Sequence, residues 1–206
     1  SLKGFGVEDF ENGIIAAGAA LHYLFETQHN KIQHISKLSR IEEDHYVWLD
    51  KFTIRNLELL HSPHENSRSL IDIIDHTISP MGSRMMKRWI VLPLKDKSTI
   101  DERLNIVEYF INNNPFHESI LKEIKRIGDM ERIISKVAVG KISPREVIQL
   151  SKALEAIEII KDYCEKTNES SLIKIAEQLN PCHSIRERII KEINQEPPAL
   201  LIKGNV

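Results

Sequence analysis

Residues 69–94 read SLIDIIDHTISPMGSRMMKRWIVLPL, two helix patterns joined by one tight junction. Ser79 suits the N-cap position, because its hydroxyl can accept from a free amide of the first turn. Pro80 fits the first helical position, where its missing N–H costs nothing. Gly82 lies within the first turn, where a side chain is ordinarily cheap, so its absence points to close approach by a neighbouring element. Beyond it, Met85, Met86, Trp89 and Ile90 make an apolar face with Trp89 inward, and Arg84, Lys87 and Arg88 make a basic one. Pro93 stops the helix. Asp72 and Asp75, with His76 adjacent, have a spacing compatible with acid–base chemistry. Capping and dipole pairing at a helix end produce the same spacing, and the structural explanation is preferred.

Downstream of the junction the pattern stays helical. Ser98 is expected to open a helix with Ile100, Leu104, Val107 and Ile111 inward, ended by Asn112-Asn113-Asn114. Pro115 opens the next, bearing Phe116, Ile120, Ile124 and Ile127. Gly128 stops it and Asp129 caps another with Ile133, Ile134 and Val137. Ser143-Pro144-Arg145-Glu146 is a capping box with proline at the first position. The helix it starts carries Val147, Leu150, Leu154, Ile157, Ile160 and Cys164, about 23 residues and roughly 34 Å, a length that suits a strut. Helices over 171–179 and 184–194 follow, then Pro197-Pro198. Upstream, residues 12–28 form a small-residue-rich helix expected to be buried, and 30–44 a connecting segment. Tyr46-Val47-Trp48-Leu49 is the best strand candidate, with 57–60 weaker and 199–202 an exit strand. The fold class is therefore mainly α, with one or two short strands near 46–60 and 199–202.

At 206 residues the chain fits one large or two small domains. Its net charge of −2 supplies no global field for nucleic acid, so any DNA contact must be local. Cys164 and Cys182 lack metal or redox spacing and read as core thiols of a reducing cytosol. No apolar run is long enough to span a membrane, and no signal peptide is present. The chain starts at Ser1 and stops after an apolar run, which suggests a piece of a longer protein.

Catalytic signatures are missing. Gly13-Ile-Ile-Ala-Ala-Gly18 has phosphate-loop spacing, but Ala19-Ala20 stand where lysine and a hydroxyl residue are required; helix packing through small residues is the better explanation. His61-Ser-Pro-His64 has no further ligands to complete a zinc site. The basic trio Arg84, Lys87 and Arg88 is left as a candidate for contacts with another domain or with phosphates, weighed against a solvated face holding one ion pair. Aromatic residues, at 6%, are too few for a single-strand stacking groove.

The junction motif, carried by Asp75, Thr77, Pro80, Met81, Gly82, Ser83, Arg84, Trp89, Pro93 and Leu94, resembles the core (lever) domain of the bacterial MutS family of mismatch-recognition proteins. Other stretches match in the family's order. They are Phe5-Gly6-Val7 with Ala16-Ala17-Gly18-Ala19, Leu49-Asp50 with Thr53 to Glu58, Gly128-Asp129-Met130-Glu131-Arg132, Ser143-Pro144-Arg145, and Pro197-Pro198. The resemblance implies that 1–40 is the end of a connector domain with its linker, 41–198 the first half of the core, and 199–206 the start of the exit toward a DNA clamp. It implies no cofactor in this segment, but ATP and magnesium in the full-length protein, a DNA-dependent ATPase. It further implies double-stranded DNA, a homodimer partner and MutL as partners, no membrane, and a bacterial cytoplasm with nucleoid association on DNA. The resemblance places the mismatch-gripping element in an N-terminal domain and the ATPase at the C-terminal end of the full-length protein, and no Walker lysine occurs here, so this segment is expected neither to read mismatches nor to bind ATP. Ser79, Pro80, Gly82 and Trp89 are the expected structural junction. A helical protein-interaction module, or the core of a MutS paralogue acting outside mismatch repair, are the alternatives.

Overall fold

Local capping chemistry sets most of the helix boundaries. The computed structural model describes residues 10–27, 35, 45–64 and 66–198. Its helices are α1 (Glu11–Glu26), α2 (Lys51–Asn56), α3 (Leu70–Ile74), α4 (Pro80–Val91), α5 (Lys97–Asn112), α6 (Asn114–Ile127), α7 (Met130–Ala138), α8 (Pro144–Glu165), α9 (Ser170–Gln178) and α10 (His183–Glu192). Asp50, Ser79, Asp96, Asp129, Ser143 and Glu169 each accept a hydrogen bond from a backbone amide of the helix they precede. The chain is mainly α, as its periodicity implies. The helix expected from Ser98 starts slightly earlier, because Asp96 takes the cap and accepts from the Thr99 amide at 2.8 Å.

Helix packing centres on α8, which touches α6, α7, α9 and α10, while α5 closes the group against α6 and α9. Ile148, Ser151, Ala153, Leu154, Ala156 and Cys164 are all buried, a set that spreads over more than one face of α8. The expectation of a free strut is thereby corrected: the 22-residue helix is the spine of a bundle. Ile120, Cys164, Leu172 and Ala176 form the core, with Ile106, Tyr109, Phe110, Phe116, Ile124 and Ile160 packed on it. Tyr109 meets Phe116 edge-on, with ring centroids 5.2 Å apart.

Several expectations about faces and strands change. On α5, Leu104, Val107 and Ile111 are exposed rather than inward, because Ile106, Tyr109 and Phe110 make the side that meets α6 and α9. On α7, Ile133 is buried but Ile134 and Val137 are exposed. No residue of α1 is buried; a Cβ at Gly18 would meet nothing within 4 Å, and one at Gly13 would meet only the ring of its near neighbour Phe10 among the described residues. The strand candidate 46–49 reduces to a single antiparallel bridge between Tyr46 and Leu94, flanked by Val47 N–H to Pro93 O at 2.7 Å. Residues 57–60 turn instead of extending, since Leu57 caps α2; Glu58 and Leu59 carbonyls then accept from the Leu70 and Ile71 amides. The expected strand 199–202, and most of the 30–44 connection, lie outside the described residues.

Candidate functional site

The α3–α4 junction is built from short-range hydrogen bonds. Ser69 and Asp72 form a reciprocal capping box at the start of α3, which accounts for Asp72 without acid–base chemistry. Asp75 accepts from the Thr77 amide at 3.0 Å, from the Thr77 hydroxyl at 2.5 Å and from the Ser83 hydroxyl at 2.6 Å. Those donors favour the charged form, Ser83 most, and hold the carboxyl down to about 2. Asp75 thus ties the loop before α4 to the first turn of α4.

Ser79 Oγ accepts from the Gly82 amide at 3.1 Å, and Pro80 occupies the first turn. A Cβ on Gly82 would lie 3.1 Å from Ser79 Oγ and 3.3 Å from Thr77 Cβ. The close neighbour is therefore the junction folding over itself, not a separate element as the sequence suggested. Gly82→Leu is expected to push Thr77 and Ser79 apart and cost about 1–3 kcal/mol, read by urea unfolding. Pro80→Ala, measured alongside, is expected to cost clearly less, since only a preset φ is lost.

The basic residues have three different fates. Arg84 reaches the start of α7, where its terminal nitrogens grip Asp129 at 2.7 and 3.2 Å and its Nε donates to Glu131 at 2.8 Å. The fork raises the guanidinium further above its ordinary range, through Asp129 first and Glu131 second. Asp129 is lowered in turn, chiefly by Arg84. Lys87 lines a polar cavity with His61, Asp72 and Asp75. Arg88 is exposed and has no ion pair among the described residues. Trp89 is 42% exposed rather than inward, with the Arg103 guanidinium 3.6 Å above its ring.

Separate sequence motifs meet in space. Arg84 of the junction motif joins Asp129 and Glu131 of the Gly128–Arg132 motif. Arg145, of the Ser-Pro-Arg motif, donates its Nε to the Pro197 carbonyl at 3.0 Å, across 52 residues. Asp50 caps α2 through the Thr53 amide at 2.6 Å. Sequence reasoning did not foresee these pairings. Both Asp129 and Arg145 stood inside recognised motifs, but nothing in linear spacing names a partner so distant. Arg103 carried no signal of its own.

The profile of the family described as MutS domain III matches residues 52–206. The chain belongs to the MutS domain III family. It is 59% identical over 206 residues to the DNA mismatch repair protein MutS of Bacteroides fragilis, covering all of this chain and 24% of that protein. The MutS of Bacteroides thetaiotaomicron is likewise 59% identical, and that of Cytophaga hutchinsonii 46%, with the same coverage. The chain thus spans about a quarter of the length of these relatives. Several polar residues of this domain III, among them Asp75, Ser79, Arg84 and Arg145, serve as caps and cross-links. Among the described residues no cluster of three acidic, histidine or cysteine side chains could hold a metal, and no helix is long and apolar enough to cross a membrane.

Proposed function

We propose that this chain is the structural core of a mismatch-repair MutS protein, and that it couples an ATPase elsewhere in that protein to a DNA clamp. The observation that carries this is the meeting of the family's motifs. The residues that mark the resemblance serve as helix caps and as ties between distant segments, Arg84 to Asp129 and Arg145 to Pro197. That is the use expected of a part whose job is to hold geometry. In this reading 1–40 closes a connector domain, 41–198 is the first half of the core, and 199–206 leads toward the clamp. ATP, magnesium, duplex DNA, a second copy and MutL are then engaged by the full-length protein, which works on DNA in the bacterial cytoplasm and nucleoid. Packed helices have few internal degrees of freedom, so displacement at one end reaches the other by rigid-body movement.

The tie between Arg145 and Pro197 is the test, because it joins α8 to the exit. In a full-length MutS carrying this segment, Arg145→Ala is expected to leave ATP affinity unchanged. It is expected to shrink the ATP-dependent change in DNA release rate by about two- to thirtyfold, the range by which residues between coupled sites alter coupling. Stopped-flow release of labelled mismatched duplex, with and without ATP, reads this. An ATP response identical to the parent's would remove the coupling role.

A further inference from the structure

The helices of this chain fall into two groups by what holds them. The substantial helix–helix packing is confined to α5–α10. No residue of α4 is buried, and Met85 and Trp89 on it are 55% and 42% exposed. Arg84 ties α4 to Asp129, the cap of α7, and to Glu131 on α7, and the ring of Trp89 lies under Arg103 of α5. Non-helical segments bracket the helix: Asp75–Ser79 before it, tied to α4 through Asp75 and Ser83, and Leu92–Asp96 after it, where Leu94 bridges to Tyr46.

We infer that α4 is a latched arm. It carries α3 and the 75–79 junction with it, and is held to the α5–α10 bundle by the Arg84 fork, which opens without unfolding the bundle. The chemistry of the latch supports reversibility. Arg84 and Glu131 are 48% and 65% exposed, so water competes for both charges, and exposed ion pairs contribute little and are screened by salt. Asp129 is the less exposed partner at 21%, and it is fixed in place as the cap of α7, accepting from the Arg132 amide. The receiving half of the latch is thus preformed on the bundle, and the arm carries the moving half. The internal bonds of the arm, Asp75 to Ser83 and Ser79 to Gly82, stay intact when the fork opens, so α3, the junction and α4 move together. This inference concerns the domain itself and stands whether or not the protein acts in mismatch repair.

Amide hydrogen exchange on the intact chain tests it, with peptides from α4 and α8 compared at about 0.05 M and about 0.5 M sodium chloride. In the parent, α4 amides are expected to exchange at least about tenfold faster than α8 amides, and to speed up with salt. Arg84→Ala is expected to accelerate α4 exchange about two- to fivefold at low salt, to abolish its salt dependence, and to leave α8 unchanged. Arg84→Lys, which keeps the charge but loses the fork, is expected to fall between the two while retaining salt dependence. Parallel exchange of α4 and α8 would overturn the inference, because the two would then open as one unit. Equal salt dependence of α4 in the parent and in Arg84→Ala would overturn it as well, because the fork would then hold nothing.

Discussion

Leu172→Ala is expected to lower the unfolding free energy by about 2–5 kcal/mol, the usual range for truncating a leucine in a packed core. Leu172 is 2% exposed and shares its cluster with Ile120, Cys164 and Ala176, so three helices lose contacts at once. Ala176, with no exposed surface, has no side chain that could extend into the space left. Phe110 and Phe116, two of the side chains packed on the cluster, have rings already engaged with each other and, for Phe116, with Tyr109. The upper half of the range is therefore expected. Urea titration followed by circular dichroism measures it, and an unchanged slope with a lower midpoint would show that stability alone has moved. A loss under about 1 kcal/mol would mean that the cluster collapses readily around the cavity.

Gly128→Val is the second large effect expected. Gly128 ends α6 with φ +67° and ψ −144°, far in ψ from the left-handed well near +47° that asparagine sometimes occupies. A side chain there is held in a strained backbone region at about 1–3 kcal/mol, and a β-branched one sits at the high end. A Cβ would also stand 2.9 Å from Gln149 Nε2, but that is the far end of a flexible side chain and can move. The two causes are separable. In Gln149→Ala the contact is gone, so Gly128→Val in that background should lose nearly as much as in the parent. If the second substitution instead restores stability, crowding and not backbone strain is the reason for this glycine.

The sequence was most legible where causes are local. Ser79, Asp129 and Ser143 cap their helices from within a few residues of the amides they serve, so the primary structure holds both donor and acceptor. Gly128 and Pro93 act on their own backbones and announce themselves the same way. Burial was harder to read, because it depends on what lies opposite. α5 carries apolar residues on two sides, and periodicity does not say which side meets α6 and α9. The strand at 46–49 needed a partner ladder, and only Leu94 supplies a bridge. Trp89 is apolar and was placed inside, yet the guanidinium of Arg103 covers its face at the surface. The candidate site was half visible. Arg84 stood out as a cation on a conspicuous helix, but its anions lie 45 and 47 residues away, and no spacing rule reaches that far.

The crowding around α8 bears on how such a chain can drift. Ala153 and Ala156 have no exposed surface, and Ile148, Ser151, Leu154 and Cys164 are nearly as enclosed. Growth at the two alanines is expected to overpack the interior, and a polar group at Ile148 or Leu154 would have to be buried. Only a narrow strip, Arg145, Gln149, Lys152 and Glu155, faces solvent along the first part of the helix. Neutral change is thus channelled toward exposed positions such as Gln149, Lys152 and Asp162, and away from the enclosed ones. Divergence within this lineage should therefore register as alternating silence and variation at helical spacing, a record of which sides of the helix are walled in.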